Sequence, residues 1–287
     1  MTEFSDDKYF DMNNDITVLM AVHRGEKTEN LHEALLSIHR QTLPPAQIIV
    51  VEDGPLSKKL AAEIRQWQRR WKARLLRVRN PKNLGLTASL NRGLEFVTTP
   101  LIARMDSDDR SHPKRFERQT KFLSSHPDIA IVGGAIEEFD HNGTRSEPRH
   151  YPLTHEEAVG SIHRATPLAH PAVMMRSEIF RSGLRYNERY RTSQDIALWF
   201  DAVCAGYRIA NLRETVLYFR LNDALYRRRG RQKAWDEFCI YCNGIRRLHG
   251  TLSWRYIFPL GRLLSRLMPS PVVRWLYHSP IRKAVVE

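Results

Sequence analysis

Three carboxylates, Asp106, Asp108 and Asp109, are crowded into the stretch Arg104-Met-Asp-Ser-Asp-Asp-Arg110. Carboxylates packed this closely repel one another, and without a compensating cation some must take up protons. A hard divalent ion with oxygen ligands, bridging to substrate phosphates, is the natural partner. An Asp-x-Asp pair alone is more often a solvated acidic turn, so its setting decides. Pro100-Leu-Ile-Ala103 just before it reads as a buried strand. Ser111-His-Pro113 just after it supplies a helix N-cap and an early-turn proline, followed by helix to Leu123. The acids therefore sit where a strand ends and a loop begins, which in open α/β sheets is the ligand crevice.

The elements that must position this group alternate. Ile16-Thr-Val-Leu-Met-Ala-Val22 is a continuous apolar run, the mark of a strand buried on both faces. Asn30 to Thr42 reads as a helix stopped by Pro44-Pro45. Ile48 to Val51 is a second buried strand ending at Glu52-Asp53-Gly54. A charged helix over Lys58 to Lys72, a strand over Leu75 to Val78 and a helix over Thr87 to Phe96 lead to the acidic strand end. Ile129 to Val132 is the fifth strand. Short connections between alternating strands and helices imply a mostly parallel sheet covered on both faces. After Gly133-Gly134, Ala135 to Tyr151 reads as a hairpin turning at His141-Asn142-Gly143. Thr154-His-Glu-Glu157 is a capping box. Ala172 to Met175 reads as a strand, Gln194 to Ala205 as a helix burying Ile196, Trp199, Phe200 and Val203, and Glu214 to Leu221 as the strand that closes the sheet.

The chain carries a net charge of +13, unevenly spread. Residues 213–287 hold 15 Lys or Arg and 5 Asp or Glu, against 30 and 27 in residues 1–212. An anionic surface touched by the C-terminal quarter, membrane or nucleic acid, is the partner this implies. The composition shifts at Arg227-Arg-Arg-Gly-Arg231, dividing a domain over 1–225 from a basic helical tail over 226–287. Gln232 to Leu248 reads as a helix. Leu260, Leu263, Leu264 and Leu267 form a stripe with Arg262 and Arg266 opposite, and Ser270-Pro271 opens a short helix with Val272, Val273, Leu276 and Tyr277. With Arg255, Arg274, Arg282, Lys283, Trp254 and Trp275 flanking them, these helices fit a membrane interface; packing back onto the domain or a second subunit is the alternative. Three cysteines, an odd number, speak for a reducing compartment, and Cys239 and Cys242 lack the second pair a zinc site needs. Met1 to Asp15 is acidic and polar, unlike a signal peptide, and no apolar run spans a membrane.

The ordered set of motifs resembles the family 2 nucleotide-sugar glycosyltransferases of the GT-A fold, a Rossmann-like mixed, mostly parallel sheet flanked by helices. The matching stretches are Ile16 to Gly25, Ser37-Ile-His-Arg-Gln-Thr42, Val50 to Gly54, Asn83-x-Gly85, Asn91-Arg-Gly93, Met105 to Asp109, His170-Pro171 and Gln194-Asp195-x-x-Leu198-Trp199. Ala21-Val22-His23 stands where the family often has Pro-x-Tyr, Pro55 follows Gly54 where a serine is usual, and Gln194-Asp195 replaces Glu-Asp. The resemblance implies that Asp53 hydrogen-bonds the nucleotide base, with Ala21, His23 and Asn83 around it. Asp106 would contact the ribose or sugar, Asp108 and Asp109 would hold Mn²⁺ or Mg²⁺ on the diphosphate, and Asp195 would be the general base. His170 and Gln194 would touch acceptor or diphosphate. Such a transfer needs the leaving group's charge neutralised and a carboxylate to accept the acceptor hydroxyl's proton. The resemblance further implies inverting transfer of glucose, galactose or N-acetylhexosamine from a UDP-sugar to an undecaprenyl-diphosphate-linked saccharide. It places the enzyme on the cytoplasmic face of a bacterial inner membrane, making O-antigen, capsule or exopolysaccharide.

Two other classes compete. A nucleic-acid-binding protein would use the basic tail, but no helix-turn-helix, zinc or RNA-binding signature accompanies it, and no nucleic acid is expected as partner. A metal-dependent nucleotidyltransferase could share the acidic turn, but no phosphate loop follows the first strand.

Overall fold

The computed structural model describes residues 15–140, 143–221 and 231–267. Strands β1 (Ile16–His23), β2 (Gln47–Asp53) and β3 (Leu75–Arg79) alternate with helices α1 (Thr28–His39) and α2 (Lys58–Trp71), and α3 (Leu86–Leu94) leads into β4 (Leu101–Arg104). Then follow β5 (Arg110–Ser111), α4 (Arg115–Ser125), β6 (Ile129–Phe139), α5 (His155–Ser161), β7 (Met174–Arg176), α6 (Glu178–Arg181), α7 (Gln194–Cys204) and β8 (Arg208–Arg220). Helices α8 (Arg231–His249) and α9 (Ile257–Leu267) complete the described chain.

All eight strands form one sheet in the order β3-β2-β1-β4-β7-β6-β8-β5. Strands β1 to β4 are parallel to one another, as is the β6–β8 pair, while β7 runs antiparallel to both its neighbours and β5 antiparallel to β8. The sheet is thus mixed, of the GT-A type. Side chains alternate between its faces with the period of two that strands impose. Leu19, Ile49, Val51 and Ile102 pack on one side with Leu90, Trp199 and Tyr241, whereas Val18, Met20, Ile48 and Val50 pack on the other with Leu35, Ile64 and Phe116. Both faces are covered, which is why these strands read as unbroken apolar runs.

Several boundaries differ from expectation. Helix α1 starts at Thr28 and stops at His39, two residues early at one end and three at the other. The hairpin over 135–151 is only partly formed: β6 takes β8 as its parallel partner, and the return segment touches it at the bridges Ile136–Arg149 and Phe139–Arg145. His141 and Asn142 of its expected turn lie outside the described residues. Strand β8 begins at Arg208 and lies inside the sheet, and the edge is the two-residue β5, which the acidic loop itself supplies. The Thr154 capping box is present, with Thr154 Oγ1 accepting from the Glu157 amide at 3.2 Å.

The tail divides in two. Helix α8 packs on α7, with Ile240 and Tyr241 in the main core and an ion pair between Arg247 and Asp201. A Cβ at Gly244 would collide with the Phe200 ring, so glycine sets this close approach. Helix α9 departs from an ordinary surface helix, with two arginines tied to a buried acid while several apolar residues face out. Arg262 reaches inward to the buried Glu237 at 2.7 Å, and Arg266 pairs with the same carboxylate. Ile257, Leu260 and Leu264 face outward, 64%, 46% and 50% exposed. No helix among the described residues is long and apolar enough to cross a membrane. Most of the arginine run at 227–231, and the helix expected after Ser270 with its flanking cations, lie outside the described residues.

Candidate active site

Parallel pairing brings the C-terminal ends of β2, β1 and β4 side by side: His23 lies opposite Asp53, and Leu19 opposite Arg104. Each end carries a different polar group.

At the end of β2 the Asp53 carboxylate is buried, and the chain itself supplies all its hydrogen bonds. Oδ1 accepts from Leu84 N at 2.7 Å and Asn80 Nδ2 at 3.1 Å. Oδ2 accepts from Asn83 Nδ2 at 2.8 Å and Gly85 N at 3.0 Å. That fills about four lone-pair positions, the capacity of a carboxylate. Gly54, at φ 82°, makes the turn: a Cβ there would stand 2.6 Å from the Asn83 amide nitrogen. Glu52, the neighbouring acid, is tied to Arg77 at 2.6 Å on the adjoining strand. His23 is exposed, its Nδ1 accepting from Gly25 N at 2.9 Å, and Ala21 is half-buried.

At the end of β4 the carboxylates crowd. Asp106, Asp108 and Asp109 can each bring an oxygen within 4.8 Å of the others. Asp106 Oδ1 accepts from Arg104 Nη2 at 2.6 Å. Asp109 Oδ1 accepts from the Arg220 amide at 2.8 Å, while Oδ2 is buried with no hydrogen-bond partner among the described residues. Burial, then the charges of Asp106 and Glu26, push Asp108 up to about 6. Burial and the other two acids push Asp109 well above the usual carboxylate range. An all-oxygen donor set, an orphaned buried carboxylate oxygen and uncompensated repulsion together fit a hard divalent ion.

The far end of this loop is held by residues of the Ser37–Thr42 motif. Ser37 Oγ accepts from Ser111 N at 2.9 Å, and Gln41 Nε2 donates to the His112 carbonyl at 2.8 Å. The near end rests on two buried arginines. Arg115 Nη2 donates to the Arg104 carbonyl at 2.8 Å, and Arg104 itself is 1% exposed.

Asp195 sits at the second position of α7, half-buried. It is turned into place by Ser193, whose φ of 59° is in the left-handed region that a non-glycine residue rarely adopts. Burial raises its pKa, against the pull of the Ile196 amide and the Arg104 charge. Gln194 is buried beside it. His170 Nε2 pairs with Tyr186 Oη at 2.8 Å, and the residue is buried. Burial holds the imidazole well below its ordinary pKa, so it is neutral. The Asn91 motif supports this pair from behind: Asn91 accepts from the Tyr186 amide at 3.0 Å and donates to its carbonyl at 2.8 Å. A pocket of about 460 Å³ opens beside Asp195 and His170, walled by Tyr151, Leu168 and Phe219.

The structure therefore gathers Ala21, His23, Asp53 and Asn83 at the ends of β1 and β2, and Asp106, Asp108 and Asp109 at the neighbouring end of β4. Asp195, Gln194 and His170 sit by the pocket, and Arg104 and Asp106 both lie close enough to Asp195 to act on its charge. Sequence reasoning passed over Arg104, Asn80, Glu26 and Arg220. A charged residue in a buried strand end signals Arg104, because such a charge must find a partner. Nothing local signals Arg220, which reaches Asp109 from the far strand. The cysteines join no metal-type cluster among the described residues.

Comparison with known proteins gives the family. Over 262 residues the chain is 33% identical to the amylovoran biosynthesis glycosyltransferase AmsE of Erwinia amylovora, covering 91% of this chain and 97% of that one. It is 30% identical over 273 residues to the Escherichia coli UDP-Gal:alpha-D-GlcNAc-diphosphoundecaprenol beta-1,3-galactosyltransferase, covering 93% and 96%. The fold matches the mannosyltransferase PcManGT of Pyrobaculum calidifontis, solved with GDP-Man and Mn²⁺, at a TM-score of 0.63 and 14% identity over 91% of this chain and 78% of that one. Residues 17–215 match the family model described as glycosyl transferase family 2, and the chain belongs to that family.

Proposed function

We propose that this protein transfers a hexose (galactose, glucose or an N-acetylhexosamine) from its UDP-sugar, with inversion, to a sugar hydroxyl on a lipid-diphosphate-linked saccharide of a bacterial surface polysaccharide. The observation that carries the reading is a pair of sites: a crowded acidic turn whose oxygens fit a divalent cation, and a separate helix-borne carboxylate facing its own pocket. Near-full-length similarity to a transferase named for UDP-Gal and a diphosphoundecaprenol acceptor supports the donor and acceptor classes.

In this reading Asp53 shapes the turn against which the base lies, with Ala21, His23 and Asn83 around it. Any base N–H that binds Asp53 must displace one of its four present donors. Asp106, oriented by Arg104, faces the ribose or sugar. Asp108 and Asp109 would hold Mn²⁺ or Mg²⁺, which when bound neutralises charge on the diphosphate leaving group. Asp195 accepts the acceptor hydroxyl's proton while that oxygen attacks the anomeric carbon from the face opposite UDP. The new C–O bond forms as the bond to the diphosphate breaks, and the electron pair leaves with UDP. The exposed apolar side chains of α9 support peripheral attachment to a bacterial inner membrane on its cytoplasmic side.

Calorimetric titration with UDP-, GDP- and CMP-sugars, with and without Mn²⁺, tests this directly. UDP-sugars are expected to bind, and only with the ion. Equal binding in EDTA overturns the assignment of the acidic turn.

A further inference from the structure

The pocket beside Asp195 has a chemistry of its own. Its wall is apolar and aromatic, with Tyr151, Phe219 and Leu168. Among the described residues a single cation lines it: the Arg149 guanidinium lies 5.4 Å from the centre of the Tyr151 ring and 3.9 Å from Glu138. His170, being neutral, adds no positive charge. A pyranose presents a C–H face that packs on aromatic rings, and a phosphate next to the ring would meet the Arg149 guanidinium.

The pocket is also mechanically joined to α9. Arg262 of α9 hydrogen-bonds the Arg164 carbonyl, and two residues further on Thr166 lines the pocket. Phe258, at the start of α9, packs on His163 with ring centroids 4.9 Å apart. The outward face of this helix carries Ile257, Leu260 and Leu264, preceded by Trp254 at 65% exposure. Apolar groups turned to the outside, in the quarter of the chain that holds its excess positive charge, suit an anionic bilayer.

Resting on the transferase reading above, we infer that this pocket takes the sugar–phosphate head of a membrane-borne acceptor. Its ring lies on Tyr151 and Phe219, its phosphate on Arg149, and its lipid in the bilayer that the outer face of α9 meets. Arg149 is then the residue that distinguishes a phosphate-linked acceptor from a plain glycoside.

The test uses the full chain and two probes, following the acceptor named for the Escherichia coli relative. One is N-acetylglucosamine α-diphosphate bearing an undecyl chain; the other is undecyl N-acetylglucosaminide, which lacks phosphate. Calorimetry is expected to show that Arg149→Gln weakens the diphosphate probe about tenfold and the glycoside less than twofold. Tyr151→Ala is expected to weaken both about tenfold. UDP-sugar affinity, measured on the same samples, reports that each variant is folded. Equal losses for the two probes with Arg149→Gln, no loss with either variant, or no binding of either probe overturns the proposal. Failure of the unaltered chain to bind any UDP-sugar overturns the transferase reading instead, and the inference with it. In a second arm, Ile257→Glu with Leu264→Glu is expected to abolish co-flotation with phosphatidylglycerol vesicles while UDP-sugar affinity stays unchanged. Undiminished flotation removes α9 from the proposal.

Discussion

Two turns on the same sheet edge, one after β2 and one after β4, treat their carboxylates in opposite ways. Asp53 receives four hydrogen bonds from its own surroundings, two of them from main-chain amides. Two strands over, across β1, Asp106, Asp108 and Asp109 are pressed together, and one buried oxygen of Asp109 has no donor among the described residues. Both turns follow buried parallel strands and both are short, so topology does not separate them. The difference lies in what the chain supplies. The first turn is complete as it stands and keeps a loop in shape. The second carries unrelieved repulsion, which a protein tolerates only where something from outside completes it.

The largest effect that tests this contrast is removal of the divalent ion. Chelation is expected to abolish transfer, and Asp108→Ala to do the same, while Asp53 variants keep an ion requirement. An assay of transfer against added Mn²⁺ reads both. Full activity in EDTA would mean that the crowded turn is completed by protons alone.

Asp195 lies between the two extremes, a half-buried carboxylate held by amide hydrogen bonds and pushed upward by burial. As the base, Asp195→Asn is expected to lose roughly 10²–10⁴-fold in turnover with donor affinity nearly intact. The base must be ionised, so in the unaltered enzyme the rate rises with pH through a pKa above the ordinary carboxylate value of ~3.9. The variant is expected to lose that limb of the profile. Weak donor binding with normal turnover at saturation would place the base elsewhere.

Much of this is legible in the sequence. Unbroken apolar runs announced the buried strands, and turn residues located both carboxylate turns at strand ends. What each turn does with its charge was not legible, because the partners come from afar. Asn80 and Gly85 reach Asp53 from a loop about thirty residues on, and Arg220 reaches Asp109 across 111 positions. Strand β5 escaped notice because two residues carry no periodicity. The α9 stripe shows the same limit. Its spacing marks a helix, but spacing alone cannot say which side faces the protein, and the buried Glu237 that holds the arginines belongs to another helix.

One substitution made at both turns sharpens the comparison furthest. Asp53→Asn places an amide NH₂ where two N–H donors already converge, whichever way the side chain flips, and leaves those donors unsatisfied. Urea unfolding is expected to show a loss of about 3 kcal/mol. Asp109→Asn is expected to act with the opposite sign and a smaller size. The amide oxygen can keep the hydrogen bond from the Arg220 amide, and the NH₂ takes the position of the oxygen that lacks a donor. Repulsion from Asp106 and Asp108 falls, and the burial of a full charge is relieved. Without a divalent ion the protein should gain about 1 kcal/mol. With saturating Mn²⁺ the order should reverse, because the ion stabilises the folded state in proportion to how tightly it binds and the variant has lost a charged ligand. Unfolding curves for both proteins, with and without Mn²⁺, give all four values. A destabilised Asp109→Asn in EDTA would show that its carboxylate is as fully provided for as that of Asp53, and the contrast between the two turns would collapse.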